Sequence, residues 1–218
     1  MTITTPTIAD RPHLQSFLER VNPPRGRLIF ALDATASRQP TWDTAAHLTS
    51  QMFATVAAIG GLDMQLVHYG GDQCVASRWI SDGKALSSIM RGVVCQAGYT
   101  KIGAVLSHVR KENEHQQVNA LVLVSDACEE DPPTLYAQAR ELNVPAFLFQ
   151  EGNDQQAERI YMELARLTGG AIAKFDSNAA QRLADLLKAV AAFAAGGVKA
   201  LAGQNTEAAK LLLTQVRK

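Results

Sequence analysis

Three short, almost wholly apolar runs constrain the fold of this chain more than any other feature. They are Leu28–Leu32, Leu121–Val124 and Val144–Phe149. A strand that is apolar on both faces is usually buried between two layers of helices, and such strands form largely parallel sheets. The runs therefore predict the centre of a mostly parallel sheet with helices on both sides.

Further strands and helices complete this pattern. Met64–Val67 and Ala171–Phe175 predict two more strands, and Gln73–Ile80 alternates after a Gly-Gly-Asp turn, which predicts an antiparallel edge strand. Strands that alternate with helices give a three-layer, doubly wound, Rossmann-like α/β fold. Apolar residues recur at helical spacing over residues 14–21, 42–58, 102–108, 135–142, 160–167 and 178–195.

The glycines and prolines divide the chain into three parts. We expect a helical extension over residues 1–24, a central domain over 25–196 and a C-terminal helix over 197–218. Two roles fit the C-terminal helix: packing on the domain, which we favour, and docking on a partner or on a second copy in a homodimer.

Composition narrows the classes of function. The 21 basic residues balance 21 acidic ones, so no net charge attracts nucleic acid or an anionic membrane. The three cysteines lie far apart and form no metal-binding pair, which favours reduced thiols. The start of the chain has no signal-peptide pattern, and the longest apolar run, 189–195, is too short to span a bilayer. We therefore expect a cytoplasmic protein that binds neither nucleic acid nor membranes.

Oxygen-bearing side chains follow two of the central strands. Asp33, Thr35 and Ser37 leave the first strand at alternate positions, so in an extended segment they face one point. Asp126 leaves the next central strand, and Thr100 lies on a loop before a predicted helix. Such hard donors suit Mg²⁺ or Mn²⁺, and suit Ca²⁺ less well because it takes more ligands. The alternative is that the acids cap helices and the hydroxyls bond to loop backbone.

In this pattern the sequence resembles the von Willebrand factor type A (vWA) domain. Asp33-x-Thr35-x-Ser37, then Thr100 and Asp126, match the metal-ion-dependent adhesion site (MIDAS) of that family, which reads D-x-S-x-S, a distant Thr, and Asp. The resemblance extends over about residues 27–195. It implies that the first acid and two hydroxyls hold a cation, that Thr100 joins on ligand engagement, and that Asp126 often acts through water. It also implies that a carboxylate from a protein partner fills the open coordination position.

The sequence departs from the family pattern at three positions. Thr35 replaces the usual first Ser and adds a methyl group, Tyr99 stands where a Gly often precedes the Thr, and Ala127 stands where Gly is common. None of these changes removes an oxygen ligand, so we retain the MIDAS prediction.

The charge of such a site favours binding of an acid. If Asp126 acts only through water, Asp33 is the sole directly bound carboxylate, and an Asp or Glu of a partner completes both coordination and neutrality. Trp42, Tyr99 and Glu129 are candidates for the partner-binding rim. Trp42 fits core packing equally well, and we favour a solvated loop for the acidic run 129–131.

An enzymatic interpretation has less support. A phosphohydrolase of the haloacid dehalogenase type needs an acid/base Asp two residues after the first, where this chain has Thr35. No dinucleotide-binding glycine motif, P-loop or nucleophile elbow is present. We expect His68 to be a core or rim histidine, and the polar stretch 110–117 to be solvated.

The sequence thus predicts a non-enzymatic adhesion or scaffold domain in which Mg²⁺ binds an acidic residue of a partner protein. Two alternatives stay open, a Mg²⁺-dependent phosphohydrolase and a structural domain whose cation only stabilises the strand-end loops.

Overall fold

One six-stranded sheet forms the middle layer of the molecule. The protein is described here by a computed structural model of residues 25–35, 43–45, 61–176 and 180–216. The strand order is β3-β2-β1-β4-β5-β6, with β2 and β3 antiparallel and every other neighbouring pair parallel. The predicted mostly parallel sheet with one antiparallel edge strand is confirmed. The strands are β1 Gly26–Asp33, β2 Leu62–Gly70, β3 Gln73–Ala76, β4 Ala120–Ser125, β5 Ala146–Glu151 and β6 Ala171–Phe175.

Helices cover both faces of this sheet, as the apolar strands predict. Helices α2, α3 and α4 share one hydrophobic core with the sheet, and α1, α5 and α6 share the other. No single helix among the described residues is long and apolar enough to cross a bilayer. The helices are α1 Gly83–Arg91, α2 Ile102–His115, α3 Pro132–Glu141, α4 Gln155–Thr168, α5 Ala180–Ala202 and α6 Glu207–Leu213.

Short polar side chains start most of these helices. Asp82, Asp131, Asp154 and Thr206 each accept a hydrogen bond from a backbone N–H in the first turn of α1, α3, α4 and α6 respectively. These caps satisfy donors that the helix itself leaves unpaired. They also fix where the helices begin relative to the carboxyl edge of the sheet.

Strand β1 lies in the centre and has all eight of its residues buried. Leu28, Phe30 and Leu32 point into one core, and Ile29 and Ala31 into the other. The chain pairs β1 first with β2 and later with β4 on its opposite side. The strand order therefore reverses at β1, and in a doubly wound sheet the crevice beyond this point is where ligands bind.

Several elements differ from the sequence prediction. Helix α1 was not predicted. The edge strand is predicted to reach Ile80 but ends at Ala76, because the Leu66 N–H donates to the hydroxyl of Ser77 in place of its backbone carbonyl. Ile80 makes only an isolated bridge to Met64. The predicted N-terminal extension, and all of the predicted helix 42–58 except the helical residues 43–45, lie outside the described residues.

The C-terminal segment also differs from the single helix predicted over 197–218. Helix α5 runs on to Ala202 with non-helical backbone angles at Gly196 and Gly197, and α6 follows after a turn. The turn contains Asn205 at a φ of 50°, and a helix cannot continue through this left-handed conformation. The apolar residues of the segment pack into the α1-side core, namely Leu201, Ala208, Ala209, Leu212 and Val216.

Candidate metal centre

Asp33 ends β1 at the point where the strand order reverses. Its side chain is 1% exposed. Carboxylate atom Oδ1 accepts a hydrogen bond from the backbone N–H of Thr35 at 2.8 Å, and Oδ2 accepts one from the hydroxyl of Ser125 at 3.1 Å. Ser125 is the last residue of β4 and is fully buried. The neighbouring strand and the loop after β1 therefore orient this carboxylate together.

The loop that follows β4 is tied to helix α4. The hydroxyl of Tyr161 donates to the carbonyl of Ala127 at 2.6 Å, and the hydroxyl of Ser125 also lies 3.2 Å from that carbonyl. Burial raises the pKa of Tyr161 far above its usual value, so the phenol stays a proton donor. These contacts place Asp126, which lies between Ser125 and Ala127, at the edge of the crevice.

Thr100 reaches the same crevice from the loop before α2. The Thr100 side chain is almost fully buried, and its hydroxyl donates to Oε2 of Glu129 at 2.8 Å. Glu129 returns a hydrogen bond, because its backbone N–H donates to the Thr100 hydroxyl oxygen at 3.2 Å. Thr100 and Glu129 thus hold each other across the two loops.

The acidic run 129–131 is partly the predicted solvated loop, because Glu129 and Asp131 are exposed, but all three acids also make specific hydrogen bonds. Glu129 bonds to Thr100, and the carboxylate of Glu130 accepts from the backbone N–H groups of Ile102 and Gly103 at the start of α2. Asp131 is the N-cap of α3. Each acid therefore satisfies backbone or side-chain donors, a role that depends on contacts between loops distant in sequence.

Four of the five predicted ligands line one cleft. Asp33, Thr35, Thr100 and Asp126 surround a volume of about 300 Å³ with Ala97, Gly98, Ala127 and Glu129. The described lining carries three carboxylates and two hydroxyls and contains no lysine, arginine or histidine. The fifth predicted ligand, Ser37, and the predicted rim residue Trp42 lie outside the described residues.

Close backbone packing shapes the wall of this cleft. A Cβ atom on Gly98 would lie 2.5 Å from the nitrogen of Gly71, and one on Gly70 would lie 2.6 Å from the carbonyl oxygen of Ala34. Real Cβ atoms do not approach other atoms so closely. Glycine at these two positions therefore lets three loops meet beside Asp33, which sequence analysis did not predict.

The chemistry of the lining fits a hard divalent cation. Carboxylate and hydroxyl oxygens are the ligands that Mg²⁺ and Mn²⁺ prefer. Within the part of the chain that the structure describes, no three carboxylate, histidine or cysteine side chains are arranged to hold a metal. A cation in this cleft would therefore depend on hydroxyl oxygens as well as on carboxylates.

A second cleft of about 380 Å³ lies on the other side of Ala34. It is lined by His68, Asp72 and Val94 among others. Burial lowers the pKa of His68, which is the state expected of a neutral rim histidine. Val94 of this second cleft and Tyr99, which follows Gly98 of the first, lie on one loop and are 71% and 76% exposed.

No protein-family model matches the sequence, and no curated protein matches it. Solved structures match it with little sequence identity. The VWA domain of SpRpn10 is 12% identical at a TM-score of 0.61, and the match covers 74% of this chain and 95% of that one. BatB from Bacteroides thetaiotaomicron is 16% identical at a TM-score of 0.55, and the match covers 73% of this chain and 95% of that one. The vWF domain of the type V pili tip protein Mfa5 from Porphyromonas gingivalis is 10% identical at a TM-score of 0.56, and the match covers 77% of this chain and 94% of that one.

This chain has the vWA fold. The resemblance first seen in short sequence motifs therefore extends to the fold. Two residues that sequence analysis did not assign support the crevice of this vWA-like fold, Ser125 and Tyr161. The alternation of β4 was a usable signal for Ser125, because it places this residue on the same face as Leu123 and Leu121. Nothing local to Tyr161 indicated its contact with Ala127, 34 residues away.

Proposed function

We propose that this vWA domain binds a divalent cation, Mg²⁺ or Mn²⁺, in the 300 Å³ cleft and through it an acidic residue of a protein partner. The observation that carries the proposal is that Asp33, Thr35, Thr100 and Asp126 line one cleft although they come from three separate loops. These residues, with Ser37 as the further predicted ligand, would hold the cation. The bound cation would supply the positive charge that attracts a carboxylate.

The residues around the cleft prepare it for this role. Ser125 and the backbone of Thr35 orient the carboxylate of Asp33, so little side-chain entropy is lost when a cation binds. Tyr161 fixes the loop that carries Asp126. A site whose ligands are oriented beforehand binds its ion more tightly than one that must be assembled.

An exposed apolar rim supports a protein as the ligand. Tyr99 lies between the cleft-lining residues Gly98 and Thr100 and is largely exposed, and aromatic residues in such positions are common in protein interfaces. Tyr99 was predicted as a rim residue, and its exposure agrees with that role. An adhesion or scaffold function is also in keeping with the vWF domain of a pili tip protein among the matches.

Titration calorimetry tests the cation. Mg²⁺ and Mn²⁺ should give binding heats with the wild-type chain and none with Asp33→Asn, which keeps the size of the side chain but removes its charge. Asp185→Asn on helix α5, which does not line the cleft, is the matched control and should bind as the wild type does. Equal heats for wild type and Asp33→Asn would overturn the proposal.

Affinity capture from the source cells, with and without a chelator, tests the partner. A partner retained by the wild type should be lost both in chelator and with Asp33→Asn. A partner that stays bound in chelator would show that the cation is not the contact.

The phosphohydrolase alternative predicts catalytic turnover, which the binding function does not. Thr35, at the position of the acid/base in such enzymes, donates its backbone N–H to Asp33 and has no acidic group to protonate a leaving group. We therefore expect no metal-dependent hydrolysis of para-nitrophenyl phosphate, and hydrolysis that Asp33→Asn abolishes would favour the enzyme.

A further inference from the structure

The carboxylate of Glu129, a residue of this chain, lines the candidate metal centre. Its Oε2 accepts hydrogen bonds from the backbone N–H of Thr100 at 3.1 Å and from the Thr100 hydroxyl at 2.8 Å. The Thr100 hydroxyl thus gives its only proton to Glu129 and uses one lone pair to accept from the Glu129 N–H. One lone pair of Thr100 remains for a cation, so the carboxylate of Glu129 lies next to a predicted ligand.

This acid changes the charge of the cleft. Asp33, Asp126 and Glu129 all line it, which gives three formal negative charges, although Asp33 alone is expected to bind the cation directly. A divalent cation would leave one negative charge uncompensated. Negative charge close to a site strengthens binding of a cation and weakens binding of an anion.

We infer that Glu129 sets the selectivity of the site, because it strengthens cation binding while it competes with an incoming acidic ligand for that cation. The inference rests on the proposed function and adds a regulatory element to it. The acidic partner binds well only where its own contacts, such as those to the exposed Tyr99, offset the repulsion from Glu129. Isolated carboxylates are then poor ligands, and the domain avoids occupation by small organic acids.

The neighbouring residue Glu130 offers a matched control. Its carboxylate turns away to the start of α2, where it accepts from Ile102 and Gly103, and it is not among the residues that line the cleft. Glu130→Gln removes the same charge as Glu129→Gln one residue along the chain. Glu129→Gln keeps one oxygen that can accept both hydrogen bonds from Thr100, because both go to Oε2. Glu130→Gln keeps only one of its two acceptors, because Ile102 and Gly103 donate to different oxygens of Glu130, so its folding is checked by urea unfolding.

The test measures two affinities in the full chain of 218 residues. Free Mn²⁺ is followed by electron paramagnetic resonance, and acetate, as the carboxylate probe, is titrated into the Mn²⁺-loaded protein while water-proton relaxation reports the displacement of metal-bound water. Glu129→Gln should bind Mn²⁺ about three- to tenfold more weakly and acetate about three- to tenfold more tightly, since Glu129 is partly screened by solvent. Glu130→Gln should leave both affinities within about twofold of the wild type.

The outcomes separate this inference from the proposed function. Wild-type protein that does not bind Mn²⁺ overturns both. Wild-type protein that binds Mn²⁺ while Glu129→Gln leaves acetate affinity unchanged or lower overturns only the role of Glu129. Equal effects of Glu129→Gln and Glu130→Gln also overturn it, because they would indicate a general effect of net charge.

Discussion

At the scale of single residues, the orientation of the Asp33 carboxylate depends on two buried hydroxyl groups, those of Ser125 and Tyr161. Ser125 donates to Asp33 and also contacts the Ala127 carbonyl, which accepts from Tyr161 of helix α4. Sequence analysis identified the two acids of this crevice because their positions after central strands are a local feature. It did not identify the two hydroxyl groups, because Tyr161 approaches Ala127 only after α4 has packed on the sheet.

Replacing Tyr161 by Phe tests this arrangement. The variant keeps the buried ring and removes only the hydroxyl, so the Ala127 carbonyl loses its 2.6 Å hydrogen bond. We expect the free energy of unfolding to fall by about 1–3 kcal/mol, the usual result when a buried group loses its partner. Urea unfolding measures this change. Tyr136→Phe on the half-buried Tyr136 of α3 is the control, and an equal effect of the two changes would contradict the assigned role of Tyr161.

Protonation of the half-buried His108 makes stability depend on pH. His108 on α2 lies 2.8 Å from Oε1 of Gln65 with its Nε2, close to Glu112 and Lys111, and burial lowers its pKa below the usual 6.5. The unfolded chain then binds more protons than the folded chain at pH values between the lowered pKa and 6.5. Stability contributed by neutral His108 is therefore present above pH 6.5 and is lost as the pH falls through the folded pKa.

Unfolding free energies measured between pH 7.5 and 4.5 (about the histidine range) check this expectation. The loss of stability with falling pH should be smaller in His108→Gln than in the wild type. His115→Gln, at an exposed position on the same helix, should keep the wild-type slope. Parallel slopes for all three proteins would rule out His108 as a source of the pH dependence.

Most of the stretch 110–117 is exposed, as predicted, but contacts between elements partly bury Glu112. Glu112 accepts from the indole N–H of Trp79 at 2.8 Å. The Arg27 guanidinium contacts both groups, 3.4 Å from the Glu112 carboxylate and 3.8 Å from the centroid of the Trp79 ring. The polar residues of this part of α2 thus bind the start of β1 and the segment after β3. A helical pattern shows which residues are polar, but it does not show that a neighbouring element presents a matching polar group.

The C-terminal helix protects one edge of the sheet. The side-chain amide of Gln215, just after α6, accepts from the N–H of Ile172 at 3.0 Å and donates to its carbonyl at 3.0 Å, as a neighbouring strand would. Exposed strand edges pair readily with other chains. The segment therefore packs on the domain, while the predicted homodimer through it stays a prediction.

Replacing Gln215 by Ala tests this protection. Both backbone groups of Ile172 lose their partner, so we expect about 1–2 kcal/mol less free energy of unfolding and more self-association at high concentration. Chemical unfolding and sedimentation velocity measure the two effects. Gln204→Ala in the preceding turn is the control. Unchanged stability and self-association of Gln215→Ala would show that Gln215 does not protect the edge of β6.

At the scale of the whole molecule, a bound cation should stabilise the fold. A ligand that binds only the folded state adds about 1.4 kcal/mol to the unfolding free energy at ten times its Kd. The midpoint temperature of thermal unfolding should therefore rise with Mg²⁺ in the wild type and stay unchanged in Asp33→Asn. A shift of equal size in both proteins would place the stabilising ion elsewhere than the candidate metal centre.

The domain boundaries at residues 25 and 196 and the cytoplasmic location stay predictions. The structure describes the chain from residue 25 onward with gaps, and α5 continues across residue 196 with a bend at Gly196 and Gly197. The apolar residues on both sides of this bend join one core. The bend therefore changes the direction of the helix within a continuous packing unit.

The amino-acid sequence by itself determined the layered α/β architecture and the two strand ends that carry Asp33 and Asp126. It could do so because two-sided apolar strands and the residues directly after them are local features. Only the tertiary structure decided that Thr100 pairs with Glu129, that Ser125 and Tyr161 support the acids, and that Gln215 covers β6. These contacts join residues 29, 92, 34 and 43 positions apart, and such distances in sequence carry no periodic signal.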